Sequence, residues 1–308
     1  WDPEFPERRG PAHKIVDYMK GDKSKISPIM TNSESVHQFG NNAYGKPATA
    51  LNILRETIMG RELFDYAFKI YANRWKFKHP SPADFFRTME DASAVDLDWF
   101  WRGWFYSNDH VDIAINKVSW YKPDDKNPQN EIARQKEKEE FDKKGISYIR
   151  NKQSADNALV NRKPDLRDFY DEYNAYQLSK EDQKAYENYL ERLEEDEKEL
   201  LDKNLNYYQV DFELIGGLVM PVILKFTFED GSESVERIPA EIWRRNDTLV
   251  SKVFVFDKKL NEIELDPFLE TADVDRNNNF WPARVEPSPF QLYKKRKYDR
   301  PNPMQKKK

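Results

Sequence analysis

The spacing of hydrophobic residues changes once along this chain, from helical in the first hundred residues to alternating after residue 206. Between residues 47 and 107, apolar and aromatic side chains recur at intervals of three and four, which is the period of an amphipathic α-helix. Between 206 and 266, apolar and polar residues alternate in short runs that are typical of strands. This order, with helices first and strands later, predicts an α+β fold.

Four helices are predicted between residues 47 and 107, after a candidate short helix at 13–20. Pro47 begins the first helix and Gly60 ends it as a left-handed cap, whereas Ser81, with Pro82 and Asp84 after it, caps the third. The fourth is the tryptophan-rich segment DLDWFWRGWF. The predicted core-facing residues are Leu51, Leu54, Ile58, Phe64, Ala67, Phe68, Tyr71, Trp75, Phe85, Phe86, Met89, Leu97, Trp101 and Trp104. Because the connecting loops are short, these helices are expected to pack as antiparallel neighbours.

The strands are predicted to form a small β-sandwich. The segment HVDIAINKVSW alternates, which predicts a half-buried strand with Val111, Ile113 and Ile115 on its inner face. Asp230-Gly231 separates two strand-like runs and predicts a hairpin, and KVFVF with NEIEL predicts a second strand pair. We assign the strand at 110–120 to the same sheet system.

Between the first and second strands lies a charged region that we predict to be an insertion. Residues 122 to about 165 are polar and predicted to be irregular, and Ser179 with Asp182 begins a long helix. Residues 165–203 hold 14 acidic and 6 basic side chains, a net charge of 6 − 14 = −8. A solvated helix face and a protein-binding surface both explain this charge. The predicted domains are therefore a helical domain at 1–108, a β-sandwich at 109–122 and 206–268, a charged helical insertion at 123–205, and an irregular segment with a basic tail at 269–308.

Composition excludes several functional classes. The net charge of −5 argues against a nucleic-acid binder, and the absence of cysteine excludes disulfides, thiolate zinc sites and a cysteine nucleophile. The last fifteen residues, with eight basic and one acidic side chain, are expected to be a solvated tail rather than a nucleic-acid or lipid contact. No apolar run approaches the roughly 18 residues that span a membrane.

The sequence lacks the common catalytic motifs. The four histidines, His13, His37, His79 and His110, include no pair four positions apart, so the chain holds no H-E-x-x-H zinc motif. It also holds neither G-x-S-x-G nor a Walker A sequence. The segment DVDRNNN begins like a calcium loop, but Asn278 and Arg284 replace the required glycine and glutamate, which favours a polar turn.

One segment resembles a known family. The stretch AYGKPATALNILRETIMGRELFDYAFKIYANRWKFKHPSPADFFRTMEDASAVDLDWFWRGWF is similar to the gluzincin zinc aminopeptidases, the relatives of alanyl aminopeptidase and leukotriene hydrolase. The similarity covers about residues 40 to 107. It is carried by Tyr44, Lys46, Leu51, Leu54, Gly60, Phe64, Tyr71, Asp84, Phe85, Trp101 and Trp104.

The resemblance implies a fold and an activity. Residues before 108 would be the helical end of a thermolysin-like catalytic domain, followed by the family's β-sandwich. Zinc would be held by two histidines and a glutamate upstream of this chain, which would be the C-terminal part of a longer enzyme and inactive by itself. The intact enzyme would remove N-terminal residues from peptides and would be secreted, periplasmic or associated with the cell envelope.

Tyr44 is the only catalytic residue that the resemblance assigns to this chain. In the family, the matching tyrosine donates its phenol O–H to the oxyanion of the tetrahedral intermediate. Gly45 and Pro47 depart from the family pattern, which has glutamate and glycine at these positions. Three alternatives remain open. Tyr44 is an anchor for the loop before the helix, or the whole protein is a non-catalytic scaffold that binds a partner through the acidic helix. The third is a self-contained helical and β-sandwich adaptor whose similarity to the family arises by chance.

Overall fold

The computed structural model describes residues 9–142, 144–155, 159–168, 174–203 and 205–284. Its helices and strands confirm the predicted α+β class. Contacts divide the described residues into two compact units. The first contains residues 9–120, 208–254 and 258–284, and the second contains 121–207 with 255–257. The domain boundaries inferred from the sequence remain predictions, and the basic tail lies outside the described residues.

The helical part of the first unit begins with short turns and continues with four longer helices. Its α-helices are α1 Val16–Met19, α2 Lys46–Ile53, α3 Arg61–Trp75, α4 Pro82–Ser93 and α5 Asp98–Tyr106. Helix α2 is extended at both ends by π-helical turns, Gly40–Gly45 and Leu54–Ile58. The capping box predicted for α4 is present, because the Ser81 and Asp84 side chains each bond the other's backbone N–H.

Helix α5 supplies the centre of the helical core. Phe100 and Trp104 are fully buried, and Trp101 is nearly so. The Trp104 indole Nε1 lies 3.5 Å from the sulfur of Met220, which connects α5 to the β-strand part of the same unit. The core face of α2 differs from the prediction, since Leu51 and Ile58 are only half-buried. Its fully buried positions are Lys46, Thr49, Ala50 and Ile53, followed by Leu54 in the π-helical turn.

Within the described residues, seven strands form two sheets. The strands are β1 Ile113–Tyr121, β2 Asn206–Leu214, β3 Val222–Phe228, β4 Glu233–Ile238, β5 Leu249–Phe256, β6 Leu260–Leu265 and β7 Phe280–Trp281. Their order is β1-β2-β5 in one sheet and β4-β3-β6-β7 in the other. The neighbouring positions of β1 and β2 confirm that the first strand belongs to this sheet system. Ring contacts join the two sheets, with Phe226 and Phe254 at 5.0 Å and Tyr208 and Trp281 at 6.3 Å.

One strand prediction is confirmed, and two need correction. The hairpin at Asp230-Gly231 is confirmed by the antiparallel pairing of β3 with β4. The second pair is wrong, because β5 joins the three-stranded sheet whereas β6 pairs with β3 and β7. The predicted strand segment HVDIAINKVSW also differs from the prediction, because Asp112 and Ala114 are buried along with Val111 and Ile113 around the beginning of β1. An alternating run predicts one buried face, but this end of the segment is covered on both faces.

The second unit is more helical than predicted. Its helices are α6 Pro128–Phe141, α7 Ile146–Gln153, α8 Leu159–Arg162, α9 Lys180–Arg192 and α10 Glu195–Asp202. The described residues between 122 and 165 are therefore largely helical and not irregular. Asn127 caps α6 through its side chain. The predicted long helix after Ser179 is two helices, because Leu193 leaves the helical conformation and Glu194 forms a new capping box with Glu197. No residue of these described helices is buried.

Candidate functional site

Tyr44 lies inside a helix and not in the loop before it, which corrects the prediction. Gln38, with a φ of +49°, begins the turn, and its carbonyl accepts the N–H groups of Asn41 and Asn42. In the π-helical turn that follows, the N–H of Lys46 bonds the carbonyl of Asn41, five residues earlier. A wider turn explains how the helix continues through Pro47, whose ring would otherwise press on the carbonyl four residues before it.

The inner face of this turn is held by two buried polar side chains. The Asn42 side-chain amide donates to the carbonyl oxygens of Ser27 and Pro28. Lys46 is 1% exposed, and its Nζ donates to the carbonyl oxygen of Ser107 at 3.0 Å. All three bonds reach residues at least 14 positions away in the chain, so the turn is fixed to the surrounding structure on the side opposite to solvent.

Gly45 lies on the same inner face. A Cβ atom at this position would lie 3.3 Å from the Cδ1 of Ile15, which is itself buried. A side chain at position 45 would therefore require the end of Ile15 to shift by a few tenths of an ångström.

The charge of Lys46 is poorly compensated. Burial lowers the pKa of Lys46 from its usual 10.5 to about 8, with a further lowering by the charge of Lys23 and an opposing effect of Asp109. The Lys23 Nζ donates to the carbonyls of Met19 and Asn108, at 2.8 and 3.0 Å. Two lysines therefore reach carbonyl groups that directly follow α5, the end at which a helix favours positive charge.

Tyr44 itself points to solvent. The residue is 52% exposed. The Tyr44 ring packs edge-on against Phe39, with 5.6 Å between the ring centroids. The Arg9 guanidinium lies 5.2 Å from the centre of the Tyr44 ring. Within the described part of the chain, the Tyr44 hydroxyl has no hydrogen-bond partner, so it is free to donate to an external acceptor. The catalytic role and the anchoring role of Tyr44 both remain hypotheses.

The histidines do not assemble into a site. His13, His37 and His79 are exposed, whereas His110 is half-buried and its pKa is lowered, chiefly by burial. Among residues 9–142, 144–155, 159–168, 174–203 and 205–284, no three His, Cys, Asp or Glu side chains are placed to hold a metal ion. No helix within these ranges is long and apolar enough to cross a membrane.

The segment DVDRNNN forms the predicted polar turn. Asp275 caps a short 3-10 helix at Arg276–Asn278. The Asp273 carboxylate is buried and accepts the N–H groups of Ile113 and Asp275. Burial raises the pKa of Asp273 to about 7, and the neighbouring Asp112 and Asp266 add to this effect.

Lys46 is the site residue whose burial the sequence analysis missed. A signal was present in the helix pattern, because Lys46 precedes Ala50 by four and Ile53 by seven residues and so shares their face. A lysine at such a position is normally assigned to solvent.

Comparisons with known proteins give one partial similarity. The chain matches no family model. Over 121 residues it is 26% identical to "Probable aminopeptidase 1" of Sulfurisphaera tokodaii. The match covers 36% of this chain and 15% of that protein. This chain is thus similar to part of an aminopeptidase-like relative and spans only a small part of that relative's length.

Proposed function

We propose that this chain is part of a zinc-dependent aminopeptidase of the gluzincin type, in which Tyr44 stabilises the oxyanion of the tetrahedral intermediate. The similarity to a probable aminopeptidase supports a peptidase-like function. The observation that carries the role of Tyr44 is an exposed phenol without an internal acceptor, on a helical turn held from behind by Asn42 and Lys46.

The chemistry of this arrangement is that of a preorganised hydrogen-bond donor. When water attacks a peptide carbonyl, negative charge develops on its oxygen, and a fixed O–H donor stabilises that charge. The Tyr44 hydroxyl can hold its proton toward such an oxygen without a large rearrangement of the helix. The described residues offer no ligand set for zinc, so we assign no step of the reaction to a metal held by this chain.

A substitution of Tyr44 in the natural protein that contains this chain tests the proposal. Tyr44→Phe removes one hydroxyl and is expected to lower kcat roughly 10²- to 10³-fold, with little change in KM, since the bond forms in the transition state. Tyr66→Phe is the matched control, because Tyr66 is 56% exposed on α3 and lies outside the Tyr44 turn.

Unchanged kcat in Tyr44→Phe would exclude the catalytic role and leave the anchoring role. If the natural protein also fails to hydrolyse N-terminal aminoacyl p-nitroanilides, a non-catalytic scaffold explains the data better than an aminopeptidase does. The exposed acidic first turn of α10, at Glu195, Asp196 and Glu197, is then the first surface to test for a protein partner.

A further inference from the structure

A cavity of about 810 Å³ opens between α4, α5 and the 3-10 turn at Ala240–Arg244, all within the first unit. Its volume is that of ordinary small-molecule sites, which measure about 300–1,000 Å³. The cavity contains none of the residues that surround Tyr44, so it is a separate feature of the fold.

Five aromatic side chains form the walls, and packing holds several of them in place. Phe86 stacks on Trp101 with 4.5 Å between ring centroids, and Tyr106 meets Phe86 at 6.3 Å. The Trp243 indole donates to the carbonyl of Met220 at 2.9 Å. Trp99 is half-buried and completes the aromatic lining. A flat apolar ligand would find preformed ring faces here, so little conformational entropy would be lost on binding.

Three arginines in the lining are available to an anion. Arg87, Arg102 and Arg244 are exposed, and no carboxylate of the described residues lies within ion-pair distance of their guanidinium groups. Guanidinium groups suit carboxylates because two parallel N–H groups match the two oxygens.

Four carboxylates also line the cavity and limit the charge that a ligand can carry. Glu90 accepts the backbone N–H of Leu97, and Asp96 accepts that of Asp98, so these two acids are engaged at the beginning of α5. Burial raises the pKa of Glu90. A carboxylate that accepts an N–H bond keeps its charge, so Asp96, Asp98 and Glu241 all oppose a ligand with several negative groups. The lining therefore favours one anionic group over a polyanion.

We infer that this cavity is a binding site for an aromatic monocarboxylate, with the ring system against Phe86, Trp99 and Tyr106 and the carboxylate on an arginine. This inference is independent of the peptidase proposal, because it uses no residue of the Tyr44 turn and requires no catalysis.

Titration calorimetry of the full chain with 2-naphthoate tests the inference. Saturable one-to-one binding is expected. The neutral analogue 2-naphthylmethanol and the dianion 2-naphthyl phosphate are expected to bind at least tenfold more weakly than 2-naphthoate. The triple variant Arg87→Gln, Arg102→Gln, Arg244→Gln is expected to weaken 2-naphthoate binding at least tenfold and to leave the neutral analogue unaffected.

Arg245→Gln is the matched control, because Arg245 is an exposed arginine beside Arg244 that does not line the cavity. Its affinity for 2-naphthoate should equal that of the wild type. The inference is overturned if 2-naphthoate fails to saturate at millimolar concentration or if the triple variant binds it unchanged. Tighter binding of the phosphate or of 2-naphthylmethylammonium would overturn it too, since either result would mean that the cavity selects a different charge.

Discussion

The Nζ of Lys46 lies 3.0 Å from the carbonyl oxygen of Ser107, a residue 61 positions later in the chain. This bond joins the helix that carries Tyr44 to the end of the tryptophan-rich helix α5. It also places a cation where water hardly reaches it, because Lys46 is 1% exposed. The same side chain therefore fixes the candidate site and carries an electrostatic cost.

We expect this cost to appear in the pH dependence of folding. The folded chain releases the Lys46 proton near pH 8, whereas an unfolded lysine keeps its proton to about 10.5. Between these values the unfolded state binds more protons, so stability should rise with pH across this window, by about 3 kcal/mol at most. Urea unfolding measured from pH 7 to 10.5 should show this rise in the wild type.

The Lys46→Met variant should lose that rise, because it has no proton to release. Lys69→Met provides the control, since Lys69 is exposed on α3. If the rise in unfolding free energy with pH persists in Lys46→Met and disappears in Lys69→Met, the assignment of this pH dependence to Lys46 is contradicted.

Asp273 should give the opposite slope at lower pH. Its folded-state pKa is raised from 3.8 to about 7, so between these values the folded state binds more protons than the unfolded state. The stabilising contribution is complete below pH 4 and is lost as the pH rises toward 7. Its size is on the order of 4 kcal/mol. Asp273→Asn should flatten the decline in unfolding free energy between pH 4 and 7. The exposed Asp247→Asn should not, and equal slopes in both variants would refute the prediction.

Gly216 should tolerate no side chain. A Cβ at Gly216 would lie 2.2 Å from the carbonyl oxygen of His110 and 2.7 Å from the amide nitrogen of Asp112. Both atoms belong to backbone that is itself hydrogen-bonded to residues 215–218, so neither can move cheaply. We expect Gly216→Ala to lower the unfolding free energy by about 3 kcal/mol or more.

Gly40→Ala is the matched control for Gly216→Ala. A Cβ at Gly40 would meet no atom within 4 Å, and Gly40 lies in the first helical turn before α2. The substitution should be neutral or stabilising by up to about 1 kcal/mol, because alanine restricts the unfolded chain. Similar destabilisation in both variants would mean that the close approach at Gly216 is not the cause.

Gly45 and Ile15 should be energetically coupled. The contact that a Cβ at Gly45 would make is with the Cδ1 of Ile15, an atom that valine lacks. Ile15→Val alone should cost about 1 kcal/mol, and in a Gly45→Ala background it should cost less, because it then also relieves crowding. A double-mutant cycle by chemical denaturation measures the difference. Additive effects would show that the space beside Gly45 adjusts without Ile15.

Local signals in the sequence determined much of the helical and hairpin structure. Ser81, Pro82 and Asp84 form the predicted capping box, and Asp230-Gly231 lies in the predicted hairpin, because caps and turns depend on residues within a few positions of one another. Leu97, Trp101 and Trp104 are buried on α5 as their spacing predicts. These features, together with the order of helices and strands, were sufficient for the fold class.

Only the tertiary structure decided the pairing of strands and the burial of polar groups. KVFVF and NEIEL are close in sequence, but they enter different sheets because the partners of a strand are chosen by packing across the core. From the sequence, Tyr44 is predicted to lie in a loop before Pro47. In the structure, a π-helical turn includes Tyr44 in the helix and leaves its side chain exposed. Lys46 is buried because a carbonyl 61 positions away accepts its hydrogen bond, and no local pattern can identify a partner at that distance.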